Sequence, residues 1–164
     1  MVKAHAARLG LDLSRLQVPE ATEVSPALRP DIARLRDAGA ALAATWFLLC
    51  GCNVSFPIEP TVYDLLIAMP DGIRRLQVKT TTYKSKNGWQ AQVGRRPYSV
   101  GNRGLLAPYD PDALDFFFIL DGELTMYLIP SQVIAGRVGI LPRNYASYVV
   151  GNAAFLMEGP VSAA

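Results

Sequence analysis

From residue 31 the apolar positions Ile32, Leu35, Gly39, Leu42, Trp46 and Leu49 recur at intervals of three and four, the spacing of one helix face. Pro30 suits the first turn of that helix and Gly51 its stop, so an amphipathic helix is predicted over 31–49. Beyond Gly51 the pattern shortens to runs of apolar and β-branched residues, and strands are predicted at 52–56, 62–68, 73–81 and 89–93, separated by proline and glycine turn signals. A sheet that begins as a meander follows from that order. A glycine- and proline-rich loop, 94–111, leads to strands at 114–120 and 124–129, joined at Asp121-Gly122, a hairpin signal. Pro130-Ser131-Gln132 is set to start a short helix, and apolar, tyrosine-bearing segments around Ile140 and 146–150 complete the pattern. No internal repeat is present.

At 164 residues the chain is long enough for one domain with its own core. With 51% hydrophobic and 18% charged residues it is too apolar to be disordered. The longest apolar stretch, 38–52, falls short of the roughly twenty residues of a membrane span, and it reads as a buried helix. The N-terminus lacks the apolar run of a signal peptide, which makes the cytoplasm the expected location. Cys50 and Cys52 are too close for an ordinary disulfide and have no partner set for zinc, so both are expected as small core residues. Residues 1–30 carry three prolines and little periodicity, which marks an arm; 31–152 form the expected domain and 153–164 a small-residue tail.

The net charge of +2 says little about partners, but its distribution says more. Basic residues gather at Arg74, Arg75 and Lys79, at Lys84 and Lys86, and at Arg95, Arg96 and Arg103, interleaved with Tyr83, Trp89 and Tyr98. A nucleic-acid surface and an ordinary solvated face both fit. Trp89 and Tyr98 are placed either to stack on bases or to cap the sheet, and Trp46, on the helix stripe, belongs in the core. Asp110 and Asp115 read as a turn residue and a strand-start residue. His5, the only histidine, excludes triads that need one in the domain.

One hairpin concentrates the chemistry. A turn symmetric about Pro70-Asp71 sets Asp64 opposite Gln77, and alternation puts Gln77 and Lys79 on one face while Leu76 and Val78 enter the core. A three-residue Pro-Asp-Gly loop with a bulge would instead set Asp64 opposite Val78. In the first register a carboxylate, an amide and an ammonium converge. A carboxylate with an amide or backbone oxygen suits Mg²⁺, which prefers oxygen ligands and keeps exchangeable waters. An adjacent lysine then orients a water or stabilises developing negative charge. A surface hairpin with ordinary charges is the alternative.

The segments Glu59-Pro60-Thr61-Val62-Tyr63-Asp64-Leu65-Leu66 and Leu76-Gln77-Val78-Lys79-Thr80 resemble the active-site hairpin of PD-(D/E)XK endonucleases of the group I intron homing type, a branch in which glutamine stands where most relatives have an acid. The resemblance, in particular to actinobacterial and phage chains, continues through Gly94-Arg95-Arg96-Pro97-Tyr98, Pro108-Tyr109-Asp110-Pro111, 115–118 and 127–131. It implies an α/β fold, a mixed β-sheet with flanking helices around a restriction-endonuclease-like core. It also implies Asp64, Gln77 and Lys79 as catalytic residues, Asp64 and Gln77 as ligands of Mg²⁺ or Mn²⁺, and double-stranded DNA as substrate. Arg95, Arg96, Tyr98, Lys84, Lys86 and Arg103 are then the DNA contacts. Residues 8–14 resemble the end of a helix-turn-helix unit that precedes such domains. The family's first helix often adds a glutamate to the metal site; here Ala40, Ala41, Ala43 and Ala44 occupy that stretch, leaving Glu59 or Asp37 as substitutes. Without a substitute, a protein that binds DNA and does not cut it is the alternative. Cutting both strands needs two active sites, so a homodimer or higher oligomer is expected.

Overall fold

Asp31 starts the first element. Its carboxylate accepts the Ala33 amide at 2.9 Å and caps a 3-10 turn, Ile32–Arg34, that runs into helix α1, Leu35–Leu49. The computed structural model describes residues 29–96 and 105–158. Pro30 therefore precedes the cap instead of entering the first turn, and Gly51, at φ +82°, ends the helix as expected. The buried stripe is Leu35, Gly39, Ala43, Ala44 and Phe47, rotated from the one predicted. Leu49 is 84% exposed, and Trp46 is half-buried, its ring edge-on to Phe47 at 4.8 Å. Cys52 is half-buried against the core as expected, whereas Cys50 is exposed, because the helix turns it outward just before its stop.

Among the described residues ten strands follow: β1 Asn53–Ser55, β2 Leu65–Met69, β3 Gly72–Thr80, β4 Lys84–Ser85, β5 Gly88–Trp89, β6 Ala91–Gln92, β7 Phe116–Leu120, β8 Thr125–Pro130, β9 Gly139–Ile140 and β10 Val149–Asn152. Six make one mixed sheet in the order β1-β2-β3-β7-β8-β10. It opens as the expected antiparallel meander, β1-β2-β3, and then β7 joins β3 in parallel, Leu76 beside Phe116 and Gln77 beside Phe117. A parallel neighbour requires a crossover, which 81–115 supply.

The two faces of β7 fill different cores, and β3 adds one face to the first of them. Leu76, Val78, Phe118 and Leu120 pack with Ala43, Ala44 and Phe47 of α1. Phe117 and Ile119 point the other way, into Ala91, Val93, Leu114, Tyr127, Ile134 and Ile140. Burial of each such large apolar side chain contributes about 1.5–3 kcal/mol. Gly39 allows α1 to approach β3 closely: a Cβ there would lie 2.5 Å from Thr80 Cγ2. Among the described residues α1 is the one α-helix, and it packs on the face of the sheet that carries Leu76, Val78, Phe118 and Leu120. Short strands and 3-10 turns at Ser131–Ile134 and Pro142–Tyr148 cover the second core. No helix among the described residues is long and apolar enough to cross a membrane.

Two predicted elements differ in detail. The strand expected at 89–93 divides at Gln90, because β5 pairs with β4 while β6 pairs with β9 from the distant end of the chain. The β7–β8 hairpin forms, but with a longer loop than Asp121-Gly122 alone. The buried Asp121 carboxylate gathers the Glu123 and Thr125 amides at 2.9 and 3.0 Å, and Leu124, not Gly122, takes positive φ. Gly122 is required for space, since a Cβ there would lie 2.4 Å from the Trp89 ring. Trp89 thus caps the fold and lies under Lys84, 4.8 Å from its ammonium. The expected arm lies outside the described residues apart from Arg29 and Pro30; the expected tail is described to Glu158 and includes a 3-10 turn, Ala154–Met157.

Candidate active site

The hairpin turn decides the register. Met69 pairs with Gly72 across Pro70-Asp71, and the ladder runs to Leu65 opposite Leu76, so Asp64 falls opposite Gln77 one step beyond the last pair. The three-residue loop with a bulge is not formed. Gly72 takes φ +128°, and Asp71 closes the turn with an ion pair to Arg74 at 2.5 Å. Asp64 also hands its amide to the Leu76 carbonyl at 2.8 Å, which locks the chain entering β2 onto β3.

The carboxylate of Asp64 is used unevenly. Oδ2 accepts the Val78 amide at 2.8 Å and the side-chain amide of Gln77. Gln77 is buried, and its Nε2 also touches the Val78 carbonyl at 3.3 Å. Burial of Asp64 pushes its carboxyl above the ordinary carboxylate range, against the opposing pull of the Val78 amide, the Lys79 charge and the Gln77 amide. An acid held this way gains when a cation comes to it.

Lys79, two residues along the same strand face as Gln77, is half-buried and donates to the Tyr109 hydroxyl at 3.0 Å, 4.9 Å from the centre of that ring. Tyr109 in turn stands edge-on to Phe117, with centroids 5.5 Å apart. Phe117 is the parallel-strand neighbour of Gln77, so one residue of β7 stands beside Gln77 in the sheet and packs on the tyrosine that holds the lysine.

These groups line an open cleft of about 910 Å³ whose wall adds Arg36, Ala40, Arg95 and Arg96. Arg95 is fixed by a two-way backbone bridge to Ala107, at 2.8 and 2.9 Å. Of the residues expected at the site, Asp64, Gln77, Lys79, Arg95 and Arg96 come together. Lys84 and Lys86 lie on the β4–β5 hairpin outside the cleft, Lys84 paired with Glu123 at 2.9 Å. Asp37 is exposed and paired with Arg34 at 3.2 Å, and Glu59 is exposed; neither lines the cleft. Tyr98 and Arg103 lie outside the described residues. Arg36 and Tyr109 also line the cleft, and neither is marked out by the sequence pattern. Arg36 stands one helical turn before Ala40, a spacing that a helix places on one face, and Tyr109 lies in the Pro108-Tyr109-Asp110-Pro111 turn.

The sheet thus delivers a carboxylate, an amide and a lysine to one cleft rimmed by arginines. Residues 33–139 match the PD-(D/E)XK endonuclease family, and the chain belongs to that family. It is similar to the solved structure of a bacterial homing endonuclease, I-Ssp6803I, at 26% identity and a TM-score of 0.54, over 63% of this chain and 72% of that one. No curated protein matches the sequence.

The family implies a divalent metal, and the donor set fits one. Both hydrogen bonds to Asp64 fall on Oδ2, which leaves Oδ1 to the cleft, and the bonds of Gln77 use Nε2. One carboxylate and one amide oxygen, with water and phosphate oxygens to complete the shell, is the sparse all-oxygen set that Mg²⁺ accepts. Among the described residues no three His, Cys, Asp or Glu side chains cluster as a preformed cage.

Proposed function

We propose that this protein is a divalent-metal-dependent endonuclease that hydrolyses phosphodiester bonds in double-stranded DNA, of the homing type or phage-derived. The observation that carries the reading is the one-sided use of Asp64: its Oδ2 is tied to β3 while the rest of the carboxylate faces a cleft that also holds Lys79, Arg95 and Arg96. Asp64 and Gln77 would hold Mg²⁺ or Mn²⁺, which when bound acidifies water and neutralises phosphate charge. Arg95 and Arg96 bind the DNA backbone, whose phosphates supply most of the affinity. Lys79 orients the attacking water and stabilises the charge that develops on the phosphoryl oxygens as water adds to phosphorus and one P–O ester bond breaks. Gln77 fixes the Asp64 carboxylate. Cutting both strands requires two such clefts, so we infer at least a homodimer on DNA.

A second reading, a DNA-binding protein that does not cut, is favoured by one observation: Ala40 lines the cleft on the α1 side, where the family often has a glutamate. Supercoiled plasmid incubated with wild type, Asp64→Ala and Lys79→Ala over a Mg²⁺ and Mn²⁺ series separates the two. The nuclease reading expects nicking or cutting by wild type, with either substitution reducing the rate by orders of magnitude and leaving DNA affinity within severalfold. A wild type that binds DNA and never cuts under any metal sinks it.

A further inference from the structure

Lys79 and Asp64 line the same cleft, and the lysine charge is felt by the carboxylate, yet the two form no ion pair. An ammonium on a flexible stem beside a half-buried carboxylate would ordinarily close onto it, because the attraction grows as water is excluded. Here the ammonium has another partner, the Tyr109 hydroxyl.

That partner is built to stay in place. On one side the chain is pinned by the Arg95–Ala107 bridge. On the other, Asp110 caps its own turn, its carboxylate accepting the Asp112 amide at 3.0 Å and its carbonyl the Ala113 amide at 3.0 Å. Between these anchors the Tyr109 ring rests edge-on against Phe117, itself 3% exposed. A hydroxyl carried on so constrained a ring costs little entropy to position.

The geometry points to Tyr109 as a positioning residue that holds the Lys79 ammonium off Asp64 and so keeps the carboxylate open to a divalent metal. This rests on the reading of Asp64 as a metal ligand. Without the hydroxyl, Lys79 pairs with Asp64 and competes with the metal for the same oxygen. Tyr109→Phe removes the hydroxyl and retains the ring that Phe117 supports.

Calorimetric titration of Mn²⁺ into wild type, Tyr109→Phe, Lys79→Met and the double variant, without DNA, tests it. Tyr109→Phe is expected to weaken Mn²⁺ binding roughly tenfold, the lower end of effects seen when an outer partner of a metal site is lost. In the Lys79→Met background the same change is expected to do nothing, since no ammonium remains to compete. A tyrosine that merely supports the fold would weaken Mn²⁺ binding equally in both backgrounds, and that result, or no change in Mn²⁺ affinity with Tyr109→Phe alone, overturns the inference. A wild type that takes up no Mn²⁺ overturns the metal-dependent reading and this inference with it. The failures are told apart by whether the wild type or only the variants disagree.

Discussion

The Val78 amide donates to Asp64 Oδ2 at 2.8 Å, so the carboxylate is held by the backbone of the strand that also carries Gln77 and Lys79. Backbone attachment gives the acid an anchor that does not depend on a rotamer, and the Gln77 side chain adds a second. It also ties the chemistry of Asp64 to the stability of the hairpin.

That tie has a pH signature. The folded-state pKa of Asp64 lies above its ordinary 3.8, with burial the largest cause. A group raised in this way contributes stability that is complete below the unfolded value and is lost as pH rises through the folded value. At neutral pH the ionised carboxylate therefore disfavours folding. Asp64→Asn should raise the melting temperature at pH 7 in the absence of metal, and the gain should shrink as pH falls through the raised value towards 3.8. Excess Mn²⁺ should stabilise wild type and not the variant. Scanning calorimetry across that range checks the sign; an Asp64→Asn protein less stable than wild type at pH 7 without metal would contradict it.

Gln77→Glu exchanges the donor that Asp64 accepts for a second acceptor at a buried position. Two carboxylates then face each other on the cleft wall with the bridging donor lost, which should cost on the order of 2–3 kcal/mol in metal-free protein. Divalent metal should restore more of that loss than it adds to wild type, because the variant offers it a second negative ligand. Denaturant titrations with EDTA and with Mn²⁺ give the comparison. Equal metal stabilisation of the two proteins would mean that position 77 does not face the metal.

The placement of Asp64, Gln77 and Lys79 on one cleft wall was legible because two local rules determine it: a turn centred on Pro70-Asp71 sets the register, and strand alternation sets the face. Helix α1 was legible as an element but not in its rotation. Alanines and a glycine bury as readily as leucines where α1 meets Thr80, and period alone cannot rank them. The division of the 89–93 strand was not legible, since β6 is defined by β9 and nothing local to Gln90 announces that partner. Nor was the role of Tyr109, which depends on the parallel placement of Phe117 beside Gln77. The basic residues separated for the same reason: charge clusters in sequence do not say that Lys84 turns to Glu123 while Arg95 turns to the cleft.

The fit of α1 on β3 makes Gly39 a site where helix propensity and packing oppose each other. Alanine in a helix interior gains about 1 kcal/mol over glycine. A methyl 2.5 Å from Thr80 Cγ2 forces a shift of the kind that costs ~1–3 kcal/mol. Packing should win, and Gly39→Ala should lose about 1 kcal/mol. Combining it with Thr80→Ser, which removes the opposing methyl, should recover the loss and expose the propensity gain. Urea unfolding of the single and double variants measures both; Gly39→Ala more stable than wild type would show that the helix moves at no cost.

Arg95 and Arg96 line the cleft, whereas Lys84 is engaged by Glu123 on another surface, so the three cations should differ in their response to salt. Each phosphate contact contributes a slope of about 0.9 to the fall of log affinity with log salt. Replacing both arginines with alanine should therefore reduce the slope by about two and weaken binding to all duplex sequences alike, since backbone contacts carry no sequence information. Lys84→Ala should change the slope by less than half as much, its ammonium being shared with a carboxylate and the Trp89 ring. Fluorescence anisotropy with a labelled duplex at 50–300 mM salt, a range of about sixfold, resolves such slopes. If Lys84→Ala lowers the slope as much as the arginine pair, DNA runs over the β4–β5 hairpin as well as the cleft, and the path drawn from the cleft alone is too short.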